Sequence, residues 1–168
     1  MAISMYQIVI PVFTRALGNL SAILGKASAH ADAKKIDPSI FINARLAPDM
    51  FPLARQVQIA TDGVKGCAAR LVGIEIPSYA DTETTFPELQ ARIAKTLAFI
   101  KSISPEQFDG SEDRTVTLKL RESEMQFLGL PYLLDFVLPN LYFHMTATYA
   151  ILRHNGVEIG KTDYLGAP

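Results

Sequence analysis

The chain has 168 residues, 16 basic and 17 acidic, with 49% hydrophobic and 20% charged side chains. That length suits one domain, spanning 1–168, able to bury a core without staples. The near-cancelling charge excludes the basic stripe that nucleic acid or an anionic membrane would need, and a single cysteine, Cys67, excludes an internal disulfide framework and suits a reducing compartment.

Ser4-Met-Tyr-Gln7 has the form of a capping box and opens a helix to about Ala31. Val9, Phe13, Ala16, Leu20, Ile23 and Ala27 form its apolar seam, and Pro11 predicts a kink two turns in. The polar, proline-bearing segment Lys34 to Pro48 reads as a connection. A second helix is expected from Asp49, whose carboxylate would cap it, with Pro52 in the first turn. Its seam is Leu53, Val57, Ala60, Val64, Cys67 and Leu71, ending by Gly73. A loop follows over Glu75 to Thr84. Thr85-Phe-Pro-Glu88 is another capping box, opening a third helix with Phe86, Leu89, Ile93, Leu97 and Ile100 inward, stopped by Pro105.

Beyond Asp109-Gly-Ser111 the period changes to two. Val116, Leu118 and Leu120 alternate with Thr115, Thr117, Lys119 and Arg121, and Met125 and Phe127 with Glu124 and Gln126, predicting a small β-hairpin. The last helix begins at Pro131, or just after Pro139, and runs to about Asn155, with Gly156 as its left-handed cap. It is apolar nearly all round, which predicts burial on several sides or contact with a second subunit. Pro131, Asp135, Pro139, Asn140 and His144 interrupt the run and argue against a membrane span. The N-terminus has none of the marks of a signal peptide, so a soluble cytoplasmic protein is expected. Together these elements predict an all-α, up-and-down four-helix bundle with a β-hairpin inserted before the last helix.

Within that last helix, Asn140 and His144 lie about 40° and 6 Å apart and present their polar atoms to one spot. A polar pair in an apolar run must be bonded, liganded or set in a cleft. On the second helix Gln56 lies about 60° from the seam centre and can face the bundle mouth, whereas Gln58 and Asp62 fall toward the opposite side. Tyr164, in the tail beyond the last helix, is placed to fold back over the bundle mouth. The candidate ligand pocket is therefore Gln56, Asn140, His144 and Tyr164. His154 lies about 15 Å beyond His144 along the helix, and His30 and His154 read as helix-end residues. Arg45, Arg55 and Arg70 are candidate anion contacts, although exposed helix arginines are common. Cys67, on the core seam, reads as a small hydrophobe.

Four helices, with His144 followed by Leu152-Arg153 and Gly156 on the last, resemble the DinB/YfiT-like superfamily. Many members carry a histidine pair four apart on that helix, then Leu-Arg and a glycine. Here His144 falls on the second histidine and Asn140 on the first. Arg45-Leu-Ala-Pro-Asp-Met50 and Gly160-Lys-Thr-Asp-Tyr-Leu-Gly166 resemble an uncharacterised branch of the superfamily over essentially the whole chain. The resemblance implies a metal ion, often zinc or nickel, held by one histidine of the second helix and two of the fourth. Members of known activity include thiol-dependent transferases and isomerases.

The residues depart from that pattern, since no histidine falls on the second helix and a neutral amide is a weak ligand for zinc or nickel. The leading expectation is therefore a non-catalytic homodimer that binds a small molecule or serves structurally, with no cofactor, nucleic acid or membrane partner. The alternative is a divalent-metal-dependent hydrolase or thiol transferase in which His144, Gln56 and Asn140 hold zinc or nickel.

Overall fold

The computed structural model describes residues 3–119 and 123–167. Helix α1 (Met5–Lys34) starts on the expected capping box: Ser4 Oγ accepts from Gln7 N, and Gln7 Oε1 accepts from Ser4 N at 3.0 Å. It continues through Pro11 as a single helix and ends one turn past the expected point. By length and composition α1 would also span a bilayer, but eleven of its residues are buried in the bundle.

The segment read as a connection holds a short helix, α2 (Pro38–Asn43), capped by Asp37, whose carboxylate accepts from Ser39 N at 2.9 Å. Six residues are too few for periodicity to reveal, but Phe41 and Ile42 are buried. Helix α3 (Leu53–Val72) starts at Leu53 with Pro52 as its N-cap, so Asp49 is not its cap. The residue before a proline is biased away from helical geometry, which holds the start back past Phe51. The whole predicted α3 seam, including Cys67, is fully buried. Burial pushes the Cys67 thiol far above its ordinary value, consistent with a packing role. Gly73 closes the helix at φ 73°, its N–H reaching the Ala69 and Arg70 carbonyls.

Helix α4 (Phe86–Lys101) carries the second capping box, Thr85 with Glu88, and is followed by a 3-10 turn, Pro105–Phe108. Strands β1 (Thr115–Lys119) and β2 (Glu124–Leu128) pair antiparallel with Val116 opposite Phe127 and Leu118 opposite Met125. Val116 and Leu118 face the core, while Met125 stays exposed. The expectations for Leu120 and Arg121 lie outside the described residues.

The last helical run has three parts: a turn, α5 (Gly129–Pro131), a π-helical segment over Tyr132–Val137, and α6 (Leu138–His154). It passes through Pro139 rather than stopping there. Pro139 has no N–H to give to the carbonyl four residues back, and the six residues ahead of it are wound wider. Leu134, Tyr142 and Phe143 are exposed, so burial all round does not hold within one chain.

Helix α1 packs beside α4, α4 beside α3, and α3 beside α6. One apolar cluster runs through all four. A final helix, α7 (Lys161–Leu165), lies back on α1. Arg15 and Asn19 donate to the carbonyls of Leu165 and Tyr164, and Lys26 pairs with Asp163 at 2.6 Å.

Candidate functional site

The α3–α6 interface brings Gln56 and His144 together. Gln56 is 1% and His144 8% exposed, and His144 Nδ1 lies 2.7 Å from Gln56 Oε1. Gln56 Nε2 donates to the Phe51 carbonyl at 3.0 Å. A carbonyl can only accept, so that bond fixes the amide orientation and turns Oε1 toward the imidazole. His144 is therefore the donor from Nδ1, and its Nε2 carries the lone pair. Burial, with a smaller contribution from the Arg55 charge, lowers the His144 pKa and keeps the ring neutral. Nε2 has no hydrogen-bond partner among the described residues. The Phe143 ring, more than half exposed, meets the imidazole edge-on at 5.2 Å.

Asn140 sits one turn earlier and joins a neighbouring cleft rather than the pair itself. The cleft has a volume of about 310 Å³ and is half open. Helix α3 gives one wall, with Ile59, Gly63 and Arg70; the π-helical segment gives the other, with Tyr132, Phe136 and Val137. Lys119 and Leu118 close the hairpin end, while Arg55 and Asp62 stand among its polar lining. Gly63 stands next to Asn140: a Cβ there would lie in ordinary contact, 3.7 Å from Asn140 Nδ2. Asp62 reaches the cleft while binding Arg92 at 2.8 Å and Lys65 at 2.9 Å.

Tyr164 is not brought to these groups. It lines a separate groove with Val12, Asn19 and Tyr142, accepts from Thr146 Oγ1 at 3.2 Å and stacks edge-on against Tyr149. The anchors of α7 on α1 carry it away from Gln56. Among the described residues no three His, Cys, Asp or Glu side chains gather as metal ligands.

Sequence reasoning missed Arg92. It is 3% exposed and uses its donors fully: Nε to Thr61 Oγ1, Nη1 to Ala80 O and Glu83, Nη2 to Asp62 and Asp81. Burial opposes its charge, but the bond to Glu83 and the charges of Asp62, Glu83 and Asp81 outweigh that and raise its pKa. The Tyr79 ring lies between Lys65 and Lys95, 3.8 and 4.1 Å from their ammonium groups. The loop 74–84 is thus clamped onto α3 and α4. The available signal was a cation among the buried positions Leu89, Ile93, Thr96 and Ile100 of α4.

The model of a domain of unknown function, DUF1993, matches residues 5–165. The chain belongs to the DUF1993 family. A crystal structure of a DinB family member protein from Shewanella denitrificans is similar at 43% identity and TM-score 0.92, over 98% of this chain and 93% of that one. No curated protein matches the chain. This DUF1993 chain thus has a DinB-like bundle fold and falls in a branch of unknown function, as the resemblance of its motifs implied.

Proposed function

We propose that this DUF1993 chain is a non-catalytic small-molecule-binding protein, a cytoplasmic homodimer in which an amide–imidazole pair stands in place of a metal triad. The observation that carries the reading is the Gln56–His144 bond, closed on its far side by the Phe51 carbonyl. A zinc or nickel ion does not suit these donors. The Gln56 oxygen already takes the Nδ1 proton, its nitrogen is a donor, and Asn140 offers a further neutral amide. Beside that pair lies a cleft in which Ile59, Leu118, Phe136 and Val137 stand with charged and amide groups, a mixed lining that can orient an organic ligand. The homodimer is supported by exposed Leu130, Leu134 and Tyr142, spaced four or eight apart along one side of the last helical run.

The second reading, a metal-dependent hydrolase or thiol transferase, keeps one support: His144 Nε2 is a neutral, oriented lone pair of the kind metals take. Metal content of chelator-free protein, followed by zinc and nickel titration of wild type and His144→Ala, separates the two. The proposal expects no stoichiometric metal in either. About one ion per chain, lost in His144→Ala, would replace it with the metalloenzyme reading.

A further inference from the structure

The cleft between α3 and the π-helical segment has an uneven charge layout. Arg55 is paired with Asp81, and Asp62 with Lys65 and Arg92. Toward the hairpin, neither Arg70 nor Lys119 takes part in an ion pair among the described residues. Arg70 Nη1 donates to Tyr132 OH at 3.2 Å, and the phenol, accepting that bond, still has its own proton to give.

Two glycines of α3 lie along this arrangement. A Cβ at Gly66 would stand 2.5 Å from Arg70 Nη1, so Gly66 lets the guanidinium fold back along its own helix toward Tyr132 without the shift that a larger residue would ask of that flexible side chain. Gly63 lines the cleft beside Asn140, where a Cβ would make only ordinary contact. Its other wall is π-helical, a geometry that recurs at functional sites.

We propose that this cleft binds an amphipathic organic anion, its carboxylate on Arg70 and Tyr132 and its apolar body along Gly63 and Phe136 toward Asn140. The proposal rests on the small-molecule-binding reading and adds the ligand class. The Arg70 guanidinium lies over Gly66, and Gly63 stands three residues, about 5 Å along the helix, beyond it; the apolar body runs past that point toward Asn140. Lys119, exposed at the mouth, adds charge without a fixed bond.

The test is calorimetric titration of the full chain with octanoate, octan-1-ol and octylammonium, using wild type, Arg70→Met and Gly63→Leu. Thermal melting checks that each variant is folded. Octanoate is expected to bind wild type best and to lose about tenfold or more in affinity in Arg70→Met, as for a lost bond to a charged group. Octanol should bind wild type and Arg70→Met alike, and Gly63→Leu should abolish binding of both. Octanoate binding that ignores Arg70→Met, or a preference for octylammonium, overturns the anion site while leaving the cleft a ligand pocket. Absence of binding by all three compounds overturns the anion proposal. Stoichiometric metal on His144 would instead overturn the underlying non-catalytic reading. Should Gly63→Leu fail to fold, Phe136→Ala serves instead, since it removes part of the apolar wall and should weaken octanoate and octanol alike.

Discussion

Replacing Gln56 with leucine removes the acceptor for His144 Nδ1–H and the donor to the Phe51 carbonyl. Phe51 is exposed, so water can serve its carbonyl. His144 is 8% exposed, so its Nδ1–H is left in the α3–α6 interface with no partner. An unsatisfied buried donor costs about 1–3 kcal/mol. For a chain of this length about 1 kcal/mol moves the melting midpoint by roughly 2–4 °C, so Gln56→Leu should melt roughly 2–12 °C below wild type. Gln56→Glu should act differently: a carboxylate facing the imidazole favours the imidazolium and raises the His144 pKa. Stability from that pair is present below the unfolded histidine pKa and is lost as pH rises through the folded one. The assay is urea denaturation of the three proteins near neutral pH, with the His144 ring titrated by NMR. If Gln56→Leu unfolds at the wild-type urea concentration and the ring titrates alike in all three, the bond carries no weight and the reasoning fails.

For wild type the sign is opposite. His144 has a folded pKa below its ordinary value of 6.5, so the unfolded chain takes up the proton first; stability is full above about pH 6.5, falls as pH drops through it, and levels once the folded pKa is passed. Urea midpoints should show that decline in wild type and lose it in His144→Gln; equal slopes would contradict the assignment. The carboxylates Asp37, Glu88, Glu106 and Asp163, all with lowered pKa, act at lower pH, their stabilisation disappearing as they protonate. Arg92→Met should destabilise by about 2–4 kcal/mol, below the upper range for a buried ion pair because Asp62 and Asp81 are partly solvated. Hydrogen exchange should then speed up in loop 74–84, and unchanged exchange there would show that the clamp is dispensable. Gly129→Ala would press a Cβ into the Ser111 carbonyl oxygen and should cost about 2–3 kcal/mol in chemical denaturation, whereas a neutral result would mean that backbone shifts freely. The double change Gln56→His with Asn140→His should create zinc binding that wild type lacks, read as about one ion per chain.

The helices were legible because each depends on local periodicity; Gln56 and His144 were both candidates, but the sequence paired His144 with Asn140, whereas the structure pairs it with Gln56. The seam from Leu53 to Leu71 repeats at three and four, and Gln56 lies just off it, close enough to meet His144. The capping boxes at Ser4 and Thr85 were readable because all their atoms lie within four residues. What escaped depends on distant residues or short segments. The partners of Arg92 lie 9 to 31 residues away, and no local period records such a pairing. Helix α2 is too short to show one. The position of Tyr164 was set by Arg15, Asn19 and Lys26 on α1, some 137 to 150 residues earlier. The role of Gly66 became visible only once Arg70 was seen folded over it.

The most direct test of the account is long-range ¹H–¹⁵N NMR of the His144 ring near neutral pH, with and without one equivalent of zinc. The chain has three histidines, so His144→Gln assigns the signal by its loss. The account predicts a neutral ring protonated on Nδ1, as the Gln56 bond requires, with a spectrum that zinc leaves unchanged. A ring protonated on Nε2, or a His144 signal that shifts stoichiometrically with zinc, would contradict it.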